Sequence, residues 1–108
     1  MKRGEVWTVS GGPDYAGKPR PVVILQDDRF DATDSVTVCP LTTDPTDLPL
    51  FRIAIAPAAS NGLRTPCRAM ADKVTTVRRA KLGRRLGALS DAQMTSVSRA
   101  AIVFLGLA

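Results

Sequence analysis

Polar and apolar residues alternate from Gly4 to Ser10, with Val6, Thr8 and Ser10 on one face and Trp7 and Val9 on the other. That is the period of a strand. A loop punctuated by Gly11, Gly12, Pro13, Gly17 and Pro19 follows. The stretch "RPVVILQ" after it is apolar without alternation and β-branched at Val22, Val23 and Ile24. Such a run suits a strand buried on both faces, with Pro21 confined to its start or edge. Residues 27–34 are polar and turn-like, with room for one helical turn. A third strand is expected over Ser35–Thr42, where Pro40 suggests an edge or a bulge near the end. Phe51, Ile53 and Ile55 share one face of a fourth strand over Leu50–Ala56, and Asn61-Gly62 signals a turn beyond it. Cys67–Val77 reads as a strand despite its alanines. The basic stretch "RRAKLGRRLGAL" is interrupted by Gly83 and Gly87.

The last segment has the strongest signature. Ser90-Asp91-Ala92-Gln93 is a capping-box pattern, and Asp91 suits the positive end of a helix dipole. Met94, Val97, Ala101 and Phe104 then recur at helical spacing with Leu105 beside them, so an amphipathic helix lies across a sheet. Its stripe reads as core or dimer contact. The expected fold is mainly β with a C-terminal helix (α+β): a small, strongly curved, barrel-like antiparallel sheet. Neither repeats nor a linker divide the 108 residues, which are read as one domain, 1–108.

Net charge changes the picture because it is unevenly spread. Residues 1–47 hold five Lys/Arg against eight Asp/Glu, whereas residues 48–108 hold ten against two, Asp72 and Asp91. A basic half of this kind attracts a polyanion or an acidic protein, and it equally serves as a solubilising surface. No apolar run approaches the roughly 20 residues that span a bilayer. The start "MKRGEVW" has no apolar core of a secretory signal, so a cytoplasmic location is expected. Cys39 and Cys67 lack metal-ligand spacing and read as buried reduced thiols, a disulfide between them remaining open. Histidine is absent. The commonest general base and metal ligand is therefore missing, and catalysis falls to Arg, Lys, Asp, Glu, Tyr or hydroxyls. Neither metal nor cofactor is expected.

"KPRPVVIL" then becomes the point of interest. Pro21 biases Arg20 away from helix, and the following strand anchors it. A permanently charged, planar fork of donors is thus presented from a rigid junction. It suits a phosphate oxygen and the charge that builds on a transferring phosphate. It suits pairing with a loop carboxylate such as Asp14 equally well.

"RGEVW" (3–7), "KPRPVVIL" (18–25), "CPLT" (39–42), "ADKVTTV" (71–77) and "LGRRLGALSDAQM" (82–94) occur in the order and spacing of the MazF/PemK-type toxins, and the chain resembles that family over nearly its whole length. The resemblance implies an SH3-like, CcdB-type barrel assembled as a homodimer. It implies metal-independent, sequence-specific cleavage of single-stranded RNA, and a separate antitoxin whose acidic and hydrophobic disordered tail blocks the groove. The arginine of the family's Lys-x-Arg-Pro motif falls on Arg20 and the threonine of its Pro-Ile/Leu-Thr motif on Thr42; these two carry cleavage in the family. An aspartate that lines the RNA groove in some members falls on Asp72.

The chemistry suits the residues present. RNA supplies its own nucleophile, the 2′-OH, so the protein must hold the backbone in line and stabilise charge on the phosphorane. Arg20 can do the second and Thr42 can bond a non-bridging oxygen. Thr43 can share or take the role of Thr42. A glutamate that some members carry five positions before the motif arginine is replaced by Tyr15, which can stack on a base or simply pack the loop. Asp72 is a candidate base, or a partner of Arg68, Lys73 or another basic neighbour. Lys18 and the basic residues Arg78, Arg79 and Arg84 can track RNA phosphates. The cluster around the last three can also hold an acidic antitoxin or form a solvated edge. Two alternatives stand beside the ribonuclease: a CcdB-like inhibitor that binds a protein target such as gyrase, and a plain nucleic-acid-binding barrel.

Overall fold

The computed structural model describes residues 1–10 and 19–107. Among these residues, seven strands and one long helix follow in order: β1 (Glu5–Val9), β2 (Arg20–Ile24), β3 (Ser35–Thr42), β4 (Arg52–Ile55), β5 (Cys67–Met70), β6 (Thr75–Arg78), β7 (Leu82–Ala88) and α1 (Asp91–Phe104). Every pairing is antiparallel. The sheet runs β4-β5-β3-β2-β1-β7, with β6 also paired to β3. Mainly β with a C-terminal helix is the architecture the hydrophobic pattern anticipates. The sheet stays open among the described residues, curving without joining β4 to β7.

Strand β2 is buried on both faces, as its unbroken apolar run requires. Val23 joins Val6, Cys39, Leu41 and Val97 in the core under the helix. Val22 and Ile24 point the other way and pack with Val36 and Val38 against Trp7, Val9 and Leu82. The helix forms where Ser90 and Gln93 cap it reciprocally: Gln93 N donates to Ser90 Oγ at 3.1 Å and Ser90 N to Gln93 Oε1 at 2.9 Å. Met94, Val97 and Ala101 are buried as their spacing implies, joined by Ala100. Phe104, expected in that stripe, stays half-exposed and rests its ring 5.5 Å from that of Phe51.

The segment 67–77 departs from the single strand expected of it. A 3₁₀ turn at Ala71–Lys73 divides it into β5 and β6, because both halves use the same edge of β3 at different heights. Ala71 is pressed against Ala100 and Ala101 of the helix, which leaves the backbone no straight course. Pro40 sits where that edge of β3 changes partner, after Val38 pairs with Thr75 and before Leu41 pairs with Ala69. A residue without an N–H is tolerated in such a gap.

The glycines of the basic segment do not break it. Gly87 lies inside β7, where a Cβ would come within 2.4 Å of Ser60 O, so the bare backbone admits the loop before β5. Asn61 organises that loop from a position 1% exposed. Its Oδ1 accepts from Ala58 N and Leu63 N, both at 3.0 Å, and its Nδ2 donates to Ala56 O at 2.9 Å. Asn61→Ala orphans these buried backbone groups and is expected to lower stability by about 3 kcal/mol. A denaturant titration reads this as a lower midpoint at unchanged slope; a midpoint equal to that of the unaltered protein would contradict it.

Candidate functional site

Arg20 opens β2 as the cross-strand partner of Val9 and is exposed. Strands β2 and β3 pair at Ile24–Val38, Val23–Cys39 and Val22–Pro40. The ladder ends at Val22–Pro40, and its register extended by two residues points Arg20 toward Thr42 on the same face. Thr42 closes β3, and its Oγ1 accepts from Asp44 N at 3.1 Å. The hydroxyl proton is thereby left to donate outward. Two residues 22 positions apart in sequence thus lie at the same end of neighbouring strands.

Asp72 stands on the 3₁₀ turn between β5 and β6 and is gripped by Arg52. Arg52 Nε and an Nη donate to its two carboxylate oxygens at 3.2 and 3.1 Å, a bidentate pair whose side chains are 10% and 16% exposed. The Arg52 guanidinium holds the carboxyl of Asp72 below the usual carboxylate range, outweighing burial. Asp72 is therefore an ion-pair partner rather than a base poised near neutrality: the basic neighbour it bonds is Arg52, with the Lys73 charge adding a weaker attraction. The other Nη of Arg52 lies 3.9 Å from Asp44 Oδ2. Asp44 in turn accepts from Thr46 Oγ1 at 2.7 Å and Thr46 N at 3.0 Å, which lowers its own pKa. A chain of contacts therefore runs from Asp72 through Arg52 and Asp44 to the Thr42 hydroxyl. Sequence reasoning missed Arg52; its only signal is a lone charge in the alternating strand, opposite the face of Phe51, Ile53 and Ile55.

The basic residues separate. Arg84 N donates to Thr8 Oγ1 at 2.9 Å, and Thr8 pairs with Pro21, so Arg84 lies one strand removed from Arg20 and its side chain is exposed. Arg78 pairs with Ser35 at the opposite end of β3, about 20 Å along the strand from Thr42. Arg79 follows it, and its guanidinium closes the 27–34 segment: Nε donates to Thr33 O at 3.0 Å, with further bonds to Thr33 O and Asp31 O. Within one protomer Arg78 stands away from Arg20, and the Arg79 guanidinium is engaged by backbone carbonyls. Thr43 is exposed directly after Thr42. Tyr15, Lys18 and Asp14 lie outside the described residues.

The cysteines are free and buried. From the Leu41–Ala69 pair, Cys39 and Cys67 recede in opposite directions, about 13 Å apart along the ladder and beyond disulfide reach. Burial pushes the Cys39 thiol up to about 12, with the Asp72 charge adding to the effect. Among the described residues, no three His, Cys, Asp or Glu are grouped to hold a metal ion, and no helix is long and apolar enough to cross a membrane.

Residues 2–105 match the model of a family described as PemK-like, MazF-like toxin of type II toxin-antitoxin system. The chain belongs to this family. It is 54% identical over 108 residues to the probable endoribonuclease MazF of Mycolicibacterium smegmatis, covering 100% of this chain and 99% of that relative. Endoribonuclease MazF9 of Mycobacterium tuberculosis is 29% identical over 116 residues, 99% of this chain and 98% of the relative. A solved endoribonuclease in complex with its cognate antitoxin, from Mycobacterial species, superposes with a TM-score of 0.82 at 27% identity, covering 100% of this chain and 97% of that one. MazF/PemK membership disfavours the gyrase-type inhibitor as the function.

The Arg52–Asp72 pair carries a pH signature. A carboxylate whose folded pKa is depressed adds stability above its unfolded value, and that stability is lost as pH falls through the folded one. Asp72→Asn is therefore less stable than the unaltered protein at neutral pH. The gap stays constant down to the ordinary aspartate value of 3.8 and closes below it. Urea midpoints of both proteins over this range read the difference; a gap that widens on acidification would contradict the pairing.

Proposed function

We propose that the protein is the toxin of a toxin–antitoxin pair and cleaves single-stranded RNA at short specific sequences, without a metal ion. The ribose 2′-OH gives up its proton as its oxygen attacks the adjacent phosphorus, the bond from phosphorus to the 5′-oxygen breaks, and that oxygen takes up a proton, so none is gained or lost overall. The products are a 2′,3′-cyclic phosphate and a 5′-hydroxyl. Family membership and the endoribonuclease names of its relatives support an RNA-cleaving enzyme. What supports the mechanism is that Arg20 opens β2 and Thr42 closes β3 at the same end of two paired strands. A guanidinium and a hydroxyl proton at that end suit the non-bridging oxygens of one phosphate, where charge grows in the transition state.

In this reading Arg20 stabilises the phosphorane and Thr42 orients it, with Thr43 beside it. Asp72 acts through Arg52 and Asp44 to hold the Thr42 turn. Arg84, together with Lys18 and Tyr15 from the segment before Arg20, holds the strand that is cut. The toxin domain comprises residues 1–108, works in the cytoplasm as a homodimer, and is silenced by a cognate antitoxin whose acidic, hydrophobic tail covers Arg20.

The test is a long, mixed-sequence single-stranded RNA incubated with the purified protein in EDTA, with the new ends mapped. Discrete cuts with 5′-hydroxyl ends are expected. Arg20→Ala and Thr42→Val are each expected to slow them by about 10²–10³-fold while circular dichroism and dimerisation are unchanged. Cleavage at full rate by both variants would remove these roles. A folded, dimeric protein that cuts nothing would return the reading to protein-target inhibition.

A further inference from the structure

A cleft of about 290 Å³ opens beside Thr42, and nothing above gives it a task. Its location follows from the pairing. Thr42 of β3 pairs with Arg68 of β5, which pairs in turn with Ala54 of β4. The three side chains stand in one row on one face of the sheet. Pro45 and Pro66 wall the cleft, with Ala54 and Ile55 from β4 also lining it. Asp44 and Arg68 supply its charged groups, close enough that the Arg68 charge helps keep the Asp44 carboxyl ionised.

This chemistry selects among occupants. Asp44 disfavours a phosphate, and it disfavours an acidic peptide for the same reason. The small apolar walls suit a flat, weakly polar group. Arg68 offers donors to ring or carbonyl acceptors, and the ionised Asp44 offers an acceptor to an amine or ring N–H. A nucleobase splayed from single-stranded RNA presents both kinds of edge and flat faces for the walls. Because Thr42 lines the cleft, a base lying there is within one nucleotide of a phosphate held at Thr42.

We propose that this cleft receives a base next to the cut and reads its edge with Arg68 and Asp44, so that it sets one position of the target sequence. The inference rests on the ribonuclease reading. Its test uses an RNA pool randomised around the cut, incubated with the unaltered protein, Arg68→Gln and Ala54→Leu, with the cut ends sequenced. The first substitution removes the charged fork and the second fills the cleft from an exposed strand position. In both, base preference at one shared position is expected to fall about tenfold, so that cutting spreads to other bases there while preference elsewhere persists. Unchanged preference at every position in both variants would overturn the proposal. Uniform loss of cutting on all sequences by folded variants would overturn it too, placing the cleft in the chemistry. Unaltered cutting with weakened inhibition by the cognate antitoxin would give the cleft to a protein segment instead. Failure of the unaltered protein to cut any RNA would remove the ribonuclease reading itself, and with it this inference.

Discussion

Strand β3 is the constraint on which the rest depends. It is paired to β2 along one edge and to β6 and then β5 along the other, with Val36 and Val38 buried on one face and Cys39 and Leu41 on the opposite one. A strand held on four sides cannot slip, because a shift of one residue would exchange its two buried faces. The same register fixes where β3 ends. Thr42 pairs with Arg68 on one side, and Arg20 opens β2 at the same end on the other, so one packing arrangement positions the candidate site.

Around this end the protein spends charge where it is constrained. Arg52 is nearly buried and satisfied by Asp72, while the Thr42 turn is tied to Asp44, which lies beside Arg52. A pair so enclosed adds little net stability, since desolvation offsets much of its attraction, but it fixes geometry and is costly to break on one side. The proposed site, acting by positioning and charge stabilisation, would need that rigidity more than a titrating base. The absence of histidine from the chain is consistent with such a site.

How much of this was legible in the sequence varied by element. The first four strands and the helix follow from local signals: alternation in 4–10 and 50–56, the apolar run after Arg20, and the Ser90–Gln93 cap. The division of 67–77 does not, because the turn at Ala71 is imposed by helix residues some 30 positions later. Gly83 and Gly87 read as interruptions because a glycine admitting a neighbouring backbone is written like one that ends a strand. Arg20 and Thr42 were legible as motif residues, and their placement at one end of the β2–β3 pair became so once the strands were paired. Arg52 was not: a lone arginine on the polar face of a strand resembles a solvated side chain, and its partner stands 20 residues on. Arg79 misled in the opposite sense, a cluster arginine whose guanidinium is engaged by backbone carbonyls.

The central claim is that Arg20 and Thr42, at one end of the β2–β3 pair, act on the same phosphate. The direct measurement is a double-mutant cycle in single-turnover RNA cleavage, combining Arg20→Ala with Thr42→Val. Groups that serve one phosphate act as a unit, so the double variant should be little slower than the slower single one. Losses that multiply, each variant costing its full factor in the presence of the other, would show two independent contributions and contradict the account.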